Sequence, residues 1–168
     1  MSNSIVRLGL TQIEALLRTV TPADAGRPTP CPEWTVSDLG DHVVNSVAGM
    51  ATMAQGGQPD WSTTTHHEDP GAALHREGDA LMEALEAGSG AFPAGMAAAE
   101  LAVHAYDLAV SLGRGTADLD PEIAEKGLEF IRASMTDDMR GSAFGPRQPA
   151  PEGADAYQRI AAFSGRVV

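Results

Sequence analysis

The stretch "AAAELAVHAYDLA", Ala97 to Ala109, is a run of strong helix formers that carries Glu100 and His104 four residues apart, ahead of Asp107. Its alanines and leucines predict a helix built for burial. Positions i and i+4 lie about 40° apart around such a helix, so the two heads lean one way, beside a stripe of Ala97, Leu101, Leu108 and Leu112. A buried carboxylate without a partner costs several kcal/mol or takes up a proton. This face therefore requires compensation, and a bound cation is one source of it.

The rest of the chain suits such a helix. Hydrophobic residues make up 43% of the 168 but aromatics only 5%, so the core must come from Ala, Leu, Val and Met, which favours close-packed helices over strands. An all-α fold in a single domain over residues 1–168 is expected. The formal net charge of -12, with no basic stripe, excludes nucleic acid as an expected partner. Cys31 stands alone and has no partner for an intramolecular disulfide, and "MSNSIVRLGL" lacks the features of a secretory signal. No stretch approaches the roughly 20 apolar residues that span a bilayer. A cytoplasmic protein without membrane contact is the expectation.

Working outward, Ile5, Leu8, Ile13, Leu16, Leu17 and Val20 recur near the helical period and predict a first helix from Ser4 to Val20. The four prolines of "TPADAGRPTPCPEW" predict an irregular connection from Thr21 to Trp34. Thr35 and Asp38 then form a capping-box pattern opening a second helix, with Val36, Leu39, Val43, Val47, Met50 and Ala54 on one stripe. His42 falls at the flank of that stripe. "QGGQPDWSTTTHHEDPG", Gln55 to Gly71, reads as a long loop, and Pro70 opens a third helix carrying Leu74, Leu81, Met82 and Leu85, ended by "AGSGAFP". The fourth helix is expected from about Ala94 to Leu112. The fifth starts at Asp120 and Pro121 and runs to about Asp138. A Pro/Gly-rich segment from Gly141 to Gly153 precedes a short final helix around Tyr157, Ile160 and Phe163.

The second loop has a geometric use. A helix of about 19 residues spans about 28 Å, and about 15 loop residues stretch farther, enough to return the chain along the bundle so that helices two and three run parallel. The order is then up-down-down-up, and helices two and four are antiparallel. His42 and His104 then sit about 9 and about 12 Å from the same end. Two imidazoles and one carboxylate suit zinc with a coordination position to spare, and also iron or nickel. Asp41 and Asp107 are candidates to orient an imidazole. The plainer alternative is that Glu100 and His104 form an ordinary i,i+4 pair stabilising by a few tenths of a kcal/mol.

Other groups carry less. "HHED", His66 to Asp69, offers adjacent ligand types on a solvated loop, where neighbouring side chains point apart. Cys31 is expected to be a buried structural thiol, since no basic neighbour is evident nearby in the sequence. The glycines match no nucleotide-binding or phosphate-loop pattern, and His75 is expected at the surface.

Together "TPCPEWTVSDLGDHVV", "AAAELAVHAYDLAVSLGR" and "GPRQPAPEGADAYQRIAAFSGR" resemble the actinobacterial proteins related to the metal-binding domain of mycothiol-dependent maleylpyruvate isomerase, within the DinB-like superfamily. The resemblance spans nearly the whole chain. It implies an up-down-down-up four-helix bundle with additional short C-terminal helices, and a divalent metal, usually zinc, on His42, Glu100 and His104. It also implies mycothiol as a cosubstrate whose thiolate attacks an electrophilic small molecule, with no protein side chain needed as nucleophile. In maleylpyruvate isomerase a second, C-terminal domain contributes a basic residue, whereas this sequence ends at Val168, so a single-domain thiol S-transferase is expected in preference to that isomerisation. The reading from a different class is a non-catalytic bundle that binds a small molecule or protein partner, its metal structural or absent and its fourth position closed by His66 or His67. A homodimer fits a small bundle with this many helix faces, although no sequence feature marks an interface.

Overall fold

The computed structural model describes residues 3–32, 34–88, 92–140 and 144–168. Parts of "AGSGAFP" and of the Pro/Gly-rich segment, residues 89–91 and 141–143, lie outside the described residues, as does Glu33. Among the described residues the structure is all-helical, with α1 Asn3–Leu17, α2 Val36–Ala54, α3 Pro70–Ala87, α4 Ala94–Ser111, α5 Pro121–Ser134 and α6 Ala156–Phe163. Their only β pairing is an isolated bridge between Pro28 and Thr35. No described helix is long and apolar enough to cross a membrane.

Helix starts follow the local chemistry. Thr35 and Asp38 exchange side-chain-to-backbone bonds in a full capping box, and Asp155 with Gln158 does the same for α6. Asp69 and Asp120 cap helices whose first turns carry Pro70 and Pro121, where a missing amide costs nothing. Two ends come earlier than the apolar period predicts. The first helix stops at Leu17, because Thr19 and Val20 donate to carbonyls only three residues back and the Thr19 hydroxyl takes the Leu16 carbonyl. The fifth stops at Ser134: Met135 is extended, and the acids that follow close a separate 3-10 turn, Asp137–Met139.

Contacts between helix ends fix the topology. Leu17 and Pro70 both pack against Gly40, and Arg18 meets Gly71, so the end of α1 lies level with the starts of α2 and α3. Arg7 pairs with Glu86 at the opposite end. Along α4, Glu100 meets Ser46 and His104 meets His42, which makes α2 and α4 antiparallel. The order is up-down-down-up, as the loop length permits. The stripe from Val36 to Ala54 faces the core, joined by Ile13, Leu74, Leu81, Leu101 and Leu108.

The second layer, α5 and α6, covers the outer side of α4, leaving that helix buried nearly all round. Close approach is possible because α4 is rich in alanine and because Gly127 of α5 sits on the α4 backbone. A Cβ at Gly127 would lie 2.8 Å from the Ala99 Cα and 3.0 Å from the Ala98 oxygen. Backbone cannot yield as a side chain can, so Gly127→Val is expected to lower stability by about 1–3 kcal/mol or more. Urea unfolding with an unchanged m-value checks this, and a wild-type midpoint would mean that α5 does not pack as described.

Candidate metal centre

Glu100 and His104 stand one turn apart on α4, and α2 presents His42 and Ser46 one turn apart opposite them. The His42 Nε2 lies 3.0 Å from the Glu100 Oε1 and 3.1 Å from the His104 Nε2, and the third edge, His104 Nε2 to Glu100 Oε1, is 3.4 Å. These three atoms meet the geometric requirement for ligating one ion. Bonds near 2.05 Å place the ligand atoms of a tetrahedral zinc about 3.3 Å apart, and those of an octahedral site about 2.9 Å apart. The observed edges, 3.0 to 3.4 Å, lie close to both values, so the triangle suits a divalent ion without selecting one.

Each of the three side chains is held by a neighbour. The Ser46 hydroxyl donates to the Glu100 Oε1 at 2.6 Å, and the His104 Nδ1 donates to the Asp107 Oδ2 at 3.0 Å, which turns the His104 Nε2 toward the centre. Trp34, the residue before the α2 cap, packs its ring 4.4 Å from that of His42 and 6.2 Å from that of His104. Exposure is uneven: the His104 side chain is 7% exposed, against 32% for His42 and 24% for Glu100. The triangle therefore has a closed side and an open one.

The open side adjoins a cleft of about 410 Å³ between α2 and the 55–69 loop, lined by His42, Asn45, Ser46, Thr52, Trp61 and Thr65 among others. The loop is anchored. Asp41 accepts from the His66 Nδ1 and the His67 amide, both at 2.8 Å, Asn45 bonds Thr65 through backbone groups, and the Trp61 ring rests against Gly49. Asp41 thus orients His66 rather than a ligand of the triangle, because it points away from His42, its neighbour along α2. The His66 Nδ1 is committed to Asp41, and neither loop histidine joins a ligand cluster among the described residues. His75 is at the surface, as expected, facing Glu14.

The closed side holds what the sequence hides. Asp107 is fully buried and accepts from the Arg166 Nε at 3.2 Å and Nη2 at 2.9 Å, and from the Cys31 thiol at 3.2 Å. The Arg166 Nη2 also donates to the Cys31 Sγ at 3.0 Å. Cys31 is buried as expected, but it has a basic neighbour from the far end of the chain. Cys31, His104 and Asp107 also cluster closely enough to ligate an ion. That position already holds a cation, the Arg166 guanidinium, whereas among the described residues no Lys or Arg touches His42 or Glu100.

Burial pushes the Glu100 carboxyl up, but the His104 and His42 imidazoles outweigh it and hold Glu100 well below the carboxylate range. Burial likewise disfavours a charged His104, yet Glu100 and Asp107 hold its proton on well above the imidazole range. For Asp107, burial is outweighed by His104 and Arg166, and its pKa is lowered.

Fold and site together define an up-down-down-up helical bundle with a His-Glu-His cluster between its second and fourth helices. The chain belongs to the family of the mycothiol maleylpyruvate isomerase N-terminal domain, which matches residues 6–117. Two proteins named as uncharacterized, from two strains of Mycobacterium tuberculosis, are each 31% identical to it over 167 residues, covering 92% of this chain and 91% of theirs. No solved structure matches the chain.

The titration has a signed consequence. The raised His104 stabilises the metal-free fold below the ordinary imidazole pKa, and this contribution is lost as pH rises through the raised value. The depressed Glu100 stabilises it above the ordinary carboxylate pKa, and this contribution is lost as pH falls through the depressed value. A ligated ion must displace the His104 proton, so the rise in Tm caused by zinc is expected to grow as pH rises from the ordinary imidazole range toward the raised His104 value. Differential scanning fluorimetry with and without zinc measures it. A pH-independent shift would argue against His104 as a ligand.

Proposed function

We propose that this protein is a zinc-dependent thiol transferase in which His42, Glu100 and His104 hold the ion and a low-molecular-weight thiol, mycothiol in this family, reacts with a small electrophile drawn from the adjoining cleft. The observation that carries the reading is the three-atom triangle, closed behind by Asp107 and open toward a cleft large enough for a small molecule. A divalent ion there stabilises thiolate over thiol, as it does hydroxide over water. His104 keeps its Nδ1 proton on Asp107 and so offers Nε2 in a fixed direction. Ser46 occupies one lone pair of the Glu100 Oε1 and fixes the carboxylate's rotation. In the addition reaction the thiol S–H and the electrophile's π bond are exchanged for a C–S and a C–H bond, so no redox partner is required.

The cleft bears on the choice between transfer and isomerisation. Its described lining contains no Lys or Arg and does contain Asp60, on a chain of net charge -12. A dianion such as maleylpyruvate finds no counter-charge in that lining, and a neutral electrophile loses nothing there.

Protein purified without a metal-affinity tag is expected to carry close to one equivalent of divalent metal by plasma spectrometry, and His104→Ala to carry far less. With zinc and mycothiol supplied, loss of free thiol is expected with neutral activated alkenes ahead of dicarboxylates. Wild-type protein without metal, or thiol loss equal in wild type and His104→Ala, rejects the reading.

A further inference from the structure

Arg166 lies well beyond the matched segment 6–117, yet its guanidinium is buried two bonds removed from the metal triangle, behind Asp107. Its place is set by how α6 ends. The Arg166 amide donates to the Ala161 carbonyl and the Gly165 amide to the Ala162 carbonyl, the paired closing bonds of a Schellman motif, with Gly165 at φ +92°. A side chain at Gly165 would stand 2.7 Å from the Gly145 Cα, so the turn accepts glycine only. The residue after that turn is thereby aimed inward, and its Nη1 returns to the Ser164 carbonyl at 3.0 Å.

The fork then acts on Asp107. With Nε on Oδ1 and Nη2 on Oδ2, both carboxylate oxygens are fixed in plane. The Oδ2 is the atom that accepts from the His104 Nδ1. Asp107 is fully buried, so without the fork its Oδ1 has no other partner among the described residues, and only the Oδ2 contacts with His104 and Cys31 are left to restrain its rotation. The imidazole direction depends on that rotation. A second arginine holds the same tail without touching Asp107: the Arg140 Nη1 donates to the Phe163 and Gly145 carbonyls, and its guanidinium lies over the Phe163 ring.

We infer that Arg166 is a positioning residue of the metal centre: docked by the α6 terminator, it locks Asp107 and through it the His104 ring, so that the C-terminal tail completes a site whose ligands all lie in the N-terminal two-thirds. This rests on the metal reading above. A staple that only holds the tail would behave like Arg140.

The two are separated on the full-length protein by measuring the zinc Kd against a chromophoric chelator, the visible spectrum of the cobalt-substituted protein and the Tm of the metal-free form. Arg166→Gln is expected to weaken zinc binding about 10- to 100-fold and to shift the cobalt bands. Arg166→Lys, which keeps the charge but cannot span both oxygens, is expected to weaken binding while remaining folded. Arg140→Met is expected to lower Tm while leaving the Kd and cobalt bands as in wild type. The inference is overturned if Arg166→Lys binds zinc with the wild-type Kd and spectrum, or if Arg140→Met loses as much affinity at equal loss of Tm. Failure of wild-type protein to bind zinc, or undiminished binding by His104→Ala, instead overturns the metal reading itself.

Discussion

A helix buried nearly all round carries three ionisable groups at successive turns of one face, Glu100, His104 and Asp107, and their charges must be balanced inside the molecule. Asp107 is neutralised by Arg166. That leaves one carboxylate, Glu100, with two imidazoles against it and no Lys or Arg beside it among the described residues. Without metal the compensation comes from a proton held on His104. The divalent ion proposed for this site would use both imidazole lone pairs and the carboxylate at once. Proton and ion would compete for the same His104 Nε2, which would link pH, metal and stability in one place.

The surrounding fold serves that balance. Alanines along α4 and the bare backbone at Gly127 let α5 and α6 close over its outer side, which removes water from Asp107. On the other side α2 stays far enough away for two side chains, His42 and Ser46, to reach across, and the 55–69 loop is tied back by Asp41 and Asn45 so that it walls a cleft. Asp41 and His42 are adjacent on one helix yet serve opposite tasks: the first secures the loop, the second faces Glu100 and His104. Neighbouring helix positions diverge by about 100°, and α2 uses that divergence to build the cleft wall and the triangle from one turn.

Much of this was legible in the chain because it is local or periodic. Capping pairs at Thr35 and Asp38, prolines at the starts of α3 and α5, and the stripe from Val36 to Ala54 are short-range patterns whose physics does not depend on what packs later. The meeting of His42 with Glu100 and His104 was reachable because it needed one non-local step, the long loop that sets α2 antiparallel to α4. Helix ends were less legible: Thr19 and the acids after Met135 redirect the backbone through side-chain bonds that the apolar period does not register. Arg166 and its contact with Cys31 were out of reach, since 135 positions separate them and no spacing rule joins them. The only signal was the "SGR" terminator after α6, which announces a turn but not its target. Trp34 was similarly readable as a cap neighbour, not as the ring that packs on His42.

His104 belongs to two possible ligand clusters, one with His42 and Glu100, the other with Cys31 and Asp107, and the chain must use its two nitrogens differently. The Cys31 cluster has the softer donors and by ligand preference alone would be the better zinc site. It is nonetheless filled, because a guanidinium lies 3.0 Å from the sulfur and 2.9 Å from the carboxylate, and an ion brought there would meet that fixed positive charge at close range. Arginine cannot give up its proton to escape the conflict. The guanidinium therefore assigns the roles: Nδ1 keeps its hydrogen and faces the protein, and Nε2 faces the open side. One buried cation at the tail thus decides which of two neighbouring acidic clusters is available to a metal, and the available one is the cluster that borders the cleft.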